Sequence, residues 1–287
     1  MILYEGGRKM KKAVILGAGA MGKKLAALLN KNTVVLLAYG DNNTQCHSLQ
    51  GPVPIVAVED ALALSPAVVF IGVAGMERTQ ALTRQARKAG FDGEILSLSE
   101  GMAYCDLRAA TLFSAKARLS EIPGDIAELG VYQGDFAWQL NLAFPTRTLH
   151  LFDTFSGFAA ADLRQEAPLD AQGKIDFSDT SAKAVCARMP YPEQVVVHEG
   201  LFPQTAEGLE TRFAFVSLDA DLYAPTLAGL EYFMPRLASG GMIFVHDAAN
   251  PRFAGVGEAI RAYEARHGAL MLLPLPDLHG TAVILKP

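Results

Sequence analysis

Short apolar runs, each closed by glycine or polar residues, alternate along the chain with stretches of helical periodicity. In the first third, strand-like runs fall at 12–16, 33–37, 67–73 and 94–98, with helical patterns at 20–30, 58–64 and 76–89 between them. That alternation predicts parallel strands joined by helical crossovers. A helical connector at 106–121 follows, and then the plan restarts. Strands are predicted at 125–129, 148–152, 194–198, 213–218, 242–246, 269–273 and 281–286, and helices at 134–143, 179–187, 226–236 and 255–267. The pattern therefore predicts an α/β chain of two Rossmann-like domains. Residues 1–105 form a small half-Rossmann parallel sheet, and residues 106–287 a complete seven-stranded doubly wound sheet.

Each domain opens on a glycine loop. "LGAGAMG" (16–22) stands between a strand and a helix, the context in which a GxGxxG fingerprint marks a nucleotide site. Asp41, 19 residues after Gly22, lies where an acid commonly grips ribose hydroxyls. Taken alone, this loop suggests an NAD(P)-dependent oxidoreductase. Residues 12–98, however, supply about one of the two halves a full dinucleotide fold needs. No separate substrate domain with a poised acid or base follows "FIGVAG".

The second loop, "DIAELGVYQG" (125–134), has Glu128 at a strand end, and Gly130 and Gly134 where the backbone must turn tightly and approach a ligand. Asp153 ends the next strand, again 19 residues after the last glycine. Downstream, Asp219 and Asp221 close one strand and His246-Asp247 close its neighbour. If the strand geometry persists, Asp219 and Asp221 share a side. Singly, such residues cap helices or form turns. Four ligand-type side chains meeting above one sheet make a metal-site constellation.

Composition narrows the classes. Of 287 residues, 51% are hydrophobic and 19% charged, which describes a well-cored globular protein. No apolar run is long enough to span a bilayer, and "MILYEGGRKMKK" lacks a signal peptide's apolar core. Cys46, Cys105 and Cys186 are sparse and far apart, as expected of reduced thiols in a cytoplasmic protein. Residues 1–118 hold 14 Lys/Arg against 9 Asp/Glu, whereas residues 119–287 hold 11 against 21. A net charge of −10 on the second part argues against nucleic acid as its partner.

The set "ELGVYQG", "LFDTFSGF", "HEGLFPQT", "LDADLY", "SGGMIFVHD" and "GVGEAIRAYEARHG", in that order, resembles the macrocin O-methyltransferase family over about residues 122–287. Those are S-adenosylmethionine enzymes that methylate sugar hydroxyls. The resemblance implies that Glu128, Gly130 and Gly134 line the methionine end of the cofactor. By the same token Asp153 binds the ribose, and Gly200-Leu201 lie near the adenosine. Asp219 and Asp247 would hold a divalent metal, Mg²⁺ or Mn²⁺, with Asp221 as general base and a sugar-like small molecule as acceptor. One position departs from the family: where two consecutive acids are usual, this chain has His246-Asp247. Imidazole is a poor ligand for Mg²⁺, so His246 is a ligand to a more nitrogen-tolerant ion, a base in its own right, or merely hydrogen-bonded. The first domain resembles half-Rossmann segments of glycan-modifying transferases, which implies a nucleotide- or sugar-nucleotide-binding module or a purely architectural one. Residues 155–180 read as a lid over the site. A non-catalytic nucleotide-binding protein and homo-oligomerisation both stay open.

Overall fold

The computed structural model describes residues 10–97, 106–163, 177–277 and 279–287. Cys105, beside the expected domain boundary, lies outside them, as does Leu98, the last position of the run expected at 94–98. Between Asp106 and Leu107 the chain divides into two compact units.

In the first unit the apolar runs become β1 (Lys11–Leu16), β2 (Val34–Gly40), β4 (Val68–Ile71) and β5 (Glu94–Ser97). Their crossovers are α1 (Ala20–Leu28), α2 (Val58–Ala63) and α3 (Met76–Lys88). A two-residue β3, Ile55–Val56, adds a strand to the four expected; two residues are too few to carry a readable period. The order is β3-β2-β1-β4-β5 and every pairing is parallel. The sheet is therefore larger than a half-unit and has its own switch point between β1 and β4. Ala13, Val14, Ile15 and Leu16 are all fully buried, which is why β1 reads as an unbroken apolar run and not as an alternation.

The second unit begins with α4 (Leu107–Glu121), β6 (Asp125–Leu129), α5 (Asp135–Ala143), β7 (Leu149–Asp153) and the short α6 (Ala160–Leu163). It continues through α7 (Ala182–Arg188), β8 (Val195–Glu199), β9 (Phe213–Leu218), α8 (Tyr223–Arg236), β10 (Leu237–Val245) and α9 (Ala254–His267). It ends with β11 (Met271–Pro274) and β12 (Ala282–Leu285). α7 starts later than the periodicity suggests because Ser181 caps it, its hydroxyl oxygen accepting the Ala184 N–H.

The seven strands run β11-β12-β10-β9-β6-β7-β8, and β12 is antiparallel to both neighbours, so the sheet is mixed. Each face carries its own core. Leu112 of α4, Leu140 of α5 and Val185 of α7 pack on one side with Ile126 and Phe215. Leu230 and Phe233 of α8 and Ile260 of α9 pack on the other with Val216 and Ile243. Each fully buried side chain of this size contributes roughly 1.5–3 kcal/mol.

The glycine loop after β6 is fixed by a close backbone approach. Gly130 has φ +83°, and a Cβ there would lie 2.0 Å from the Asp219 carbonyl oxygen. Replacing Gly130 with Ala should therefore cost about 2–4 kcal/mol, from the left-handed backbone and the clash together. The measurement is the urea midpoint, and an unchanged midpoint would contradict this packing.

Candidate active site

The C-terminal ends of β6, β7, β9 and β10 open into one cleft of about 740 Å³. It lies where the strand order reverses, the usual ligand crevice of an open α/β sheet. Every site residue named from the sequence in this unit lines it except Gly134. Gly134 sits one step back with φ +81° as the N-cap of α5.

One side of the cleft is built from backbone. Asp153, ending β7, accepts the N–H groups of Val131 and Tyr132 at 2.6 and 2.9 Å through Oδ2. Its Oδ1 accepts the Phe155 N–H at 2.7 Å. A carboxylate has about four acceptor positions, so one is left for a ligand hydroxyl. In the first unit Asp41 does the same, its Oδ2 accepting the Ala18 N–H of the other glycine loop at 2.7 Å. Gly200, with φ +132°, donates its N–H to the Asp153 carbonyl at 2.9 Å. That bond turns the half-exposed Leu201 onto the cleft beside Phe202.

Glu128 is the buried acid of this wall, at 2% exposure. Its Oε1 is 3.3 Å from the Ser217 hydroxyl, and its Oε2 has no hydrogen-bond partner among the described residues. Burial pushes its pKa up to about 8, against the opposing pull of the Arg108 guanidinium. An orphaned buried carboxyl oxygen on a cleft wall fits a cationic ligand group, whose charge would favour the ionised form against burial.

The other side is an acid cluster with two cations in it. Ligand atoms of Asp219, Asp221, His246 and Asp247 all lie within 4.8 Å of one another. Arg108 reaches from α4 to donate Nη1–H to Asp219 Oδ2 at 2.6 Å, and its guanidinium stacks 3.9 Å from the Phe136 ring centroid. His246 Nδ1 lies 2.9 Å from both Asp219 Oδ1 and Asp247 Oδ2. Burial opposes ionisation of Asp219, but Arg108 and His246 overcome it and hold its pKa below the ordinary carboxylate range. Burial likewise works against a charged His246, yet Asp219 and Asp247 raise it to about 10. Asp221 is pushed up to about 8 by burial and by its neighbours Asp219 and Asp247. Three carboxylates in this space favour a divalent cation, and the mixed oxygen and nitrogen donors suit one.

Asp219 and Asp221 reach the cleft, though not through a continued strand. β9 stops at Leu218, and Asp221 turns back in the left-handed region at φ +61°. Arg108 has no signal in the sequence, because a lone arginine on a connector helix looks like solvent-facing charge. His279, between β11 and β12, is equally silent, yet its ring lies 4.8 Å from that of His246. Of the expected lid, residues 164–176 lie outside the described residues. Its flanks contribute Phe158 and Phe177, which meet edge-on at 5.2 Å on the cleft wall.

Glu128 gives this wall a pH signature. Its folded pKa stands above the ordinary 4.5, so the folded state holds the extra proton. Its contribution to stability is complete below about pH 4.5 and is lost as pH rises towards about 8. Glu128→Gln cannot titrate. Its melting temperature relative to the native chain should therefore climb from about pH 5 to about pH 8. A difference that stays constant across that range would contradict the raised pKa.

Comparison with known proteins matches this architecture. The family described as macrocin-O-methyltransferase (TylF) aligns with residues 74–286, beginning well upstream of the motifs quoted above and inside the first unit. A curated relative from Streptomyces olivaceus, 8-demethyl-8-(2,3-dimethoxy-alpha-L-rhamnosyl)-tetracenomycin-C 4'-O-methyltransferase, is 29% identical over 175 residues. That match spans 56% of this chain and 65% of the relative, just under two thirds of its length. Among solved structures, the calicheamicin methyltransferase CalS11 aligns at 23% identity with a TM-score of 0.51, covering 72% of this chain and 85% of its own. The O-methyltransferase NovP aligns at 21% and 0.51, covering 63% and 80%. These two share the fold. With three quarters of its length matched, the chain belongs to the macrocin-O-methyltransferase (TylF) family.

Proposed function

We propose that the chain is an S-adenosylmethionine-dependent O-methyltransferase acting on a hydroxyl of a sugar or related small molecule, with a divalent cation in the acid cluster. The observation that carries this reading is the single cleft joining two kinds of wall. The orphaned Glu128 carboxyl oxygen, the Asp153-held glycine loop and the acid cluster line the same cleft. The curated relative's name, a 4'-O-methyltransferase of a rhamnosyl compound, supports a sugar-like acceptor.

On this reading Glu128 Oε2 receives the cationic amino-acid end of the cofactor. Asp153 offers its remaining acceptor position to the ribose, and Gly200-Leu201 flank the adenine. When bound, the cofactor supplies a methyl group whose transfer to the acceptor oxygen breaks the S–CH₃ bond and leaves a neutral thioether. Asp219, His246 and Asp247 would hold the cation, which polarises and acidifies the acceptor hydroxyl. Asp221 takes that hydroxyl proton onto its carboxylate. A cation held by Asp219 and Asp247 would offset the repulsion from them that raises the Asp221 pKa, leaving that carboxylate ionised to accept the proton. Without a cation His246 carries its proton up to about pH 10 between two carboxylates; as a ligand it would release that proton, and its nitrogen would then not be free to serve as the base. Phe158 and Phe177 shield the wall from water.

Thermal shift and turnover test this together. S-adenosylhomocysteine should raise the melting temperature by mass action. Asp221→Asn should keep that shift and lose roughly 10²–10⁴-fold in methyl transfer to a sugar acceptor. EDTA should abolish turnover, and a divalent cation should restore it. A shift with NADH alone would favour an oxidoreductase instead. Cofactor binding with no methylation of any acceptor would make the chain a non-catalytic binding protein.

For the first unit, we propose a nucleotide or sugar-nucleotide site over the β1–α1 loop. A Cβ on Gly22 would lie 1.9 Å from the Gly17 carbonyl oxygen, so internal packing alone demands that glycine. At Gly19 φ is −70° and no atom of the described residues lies within 4 Å of a Cβ. Internal packing does not account for Gly19, and close approach of a phosphate to the helix start does. A melting shift with ADP or a UDP-sugar, abolished in Gly19→Val while the fold persists, is the expected result. No shift with either nucleotide would leave the unit architectural.

A further inference from the structure

We propose that His279 is a second imidazole ligand of the acid cluster, and that the cluster selects a transition-metal dication such as Mn²⁺, Co²⁺ or Zn²⁺ over Mg²⁺. This rests on the reading of the cluster as a cation site and extends it to the identity of the ion.

His246 is inside the cluster. Its Nδ1 is 2.9 Å from one oxygen of Asp219 and one of Asp247, so a cation taken up by those carboxylates would replace the imidazole proton and meet a neutral nitrogen there. His279 comes from the loop between β11 and β12. Ligand atoms of His246, Asp247 and His279 lie within 4.8 Å of one another, and His246 and Asp247 are shared with the group that includes Asp219 and Asp221. The two rings are tilted by 32° with centroids 4.8 Å apart, near enough to serve one ion.

The loop that carries His279 is anchored to the turn that carries Asp247. Buried Asp277 accepts the N–H groups of Gly280 and Thr281 at 2.7 and 2.9 Å through Oδ1. Ala249 donates its N–H to the Gly280 carbonyl at 3.1 Å, and Gly280 packs directly on Ala249. His279 itself is exposed and lines the cleft mouth. It can therefore approach an ion from the solvent side without moving the β-strand ligands.

Together the residues offer two nitrogens and several carboxylate oxygens. Mg²⁺ seeks six oxygens in a near-ideal octahedron and keeps its waters. Imidazole–carboxylate sets suit Mn²⁺, Co²⁺ and Zn²⁺, with affinity rising along the Irving–Williams order.

The test is calorimetric titration of the full chain with Mg²⁺, Mn²⁺, Co²⁺ and Zn²⁺, with the visible spectrum of the Co²⁺ form as a second readout. The native chain should bind Co²⁺ more tightly than Mg²⁺. His279→Ala should weaken Co²⁺ by at least about tenfold, the loss seen even for outer-shell partners, and should shift the Co²⁺ absorption. Its Mg²⁺ affinity and its melting temperature should stay as in the native chain. Asp247→Ala should remove the Co²⁺ band, which ties the signal to this cluster and not to a thiol. If His279→Ala leaves both Co²⁺ affinity and spectrum unchanged while Asp247→Ala abolishes them, the cation site stands and the role of His279 is overturned. If no dication binds, the cation reading falls with it.

Discussion

The second unit depends on the contact of Gly130 with the backbone of Asp219. β6 and β9 are neighbours in the sheet, and their C-terminal ends stay locked beyond the last strand residues. Asp219 donates its N–H to the Leu129 carbonyl at 2.8 Å, and the Gly130 Cα faces the Asp219 carbonyl with no room for a side chain. One backbone junction therefore sets both the wall bearing the glycine loop and the wall bearing the acids. The width of the cleft between them is a property of the sheet, not of the loops.

Charge is balanced across the same junction. The carboxylates gather where parallel strands end, an arrangement that repels itself in a low-dielectric cleft. Arg108 and His246 offset that repulsion on opposite edges of Asp219. Breaking one partner of such a shielded set leaves the other charges uncompensated. The connector helix α4 thereby becomes part of the site, although most of its residues only pack on the sheet.

Most of the sheet was legible in the sequence, because strands buried on both faces appear as compact apolar runs and each run maps onto one strand. β3 and α6 were not, being too short for any period to emerge. The acids at strand ends were legible for the same reason: topology alone brings together the residues that follow neighbouring parallel strands. Arg108 and His279 come from a helix and a loop whose approach depends on tertiary packing. Neither "DLRAAT" nor "DLHGT" carries a spacing that announces it. Asp221 arrived in the expected cleft by an unexpected route, a left-handed turn in place of a continued strand.

Asp41 and Asp153 share a position and a bonding pattern, each tying the strand-end carboxylate to an amide of the preceding glycine loop. The consequence is entropic. A loop rich in glycine loses more freedom on ordering than any other kind, and here that loss is taken during folding. A ligand entering either crevice meets amides and a carboxylate already in register, so little of its binding energy goes to arranging them. Both glycine loops are thus ordered before any ligand arrives, and neither needs the sheet edges to move.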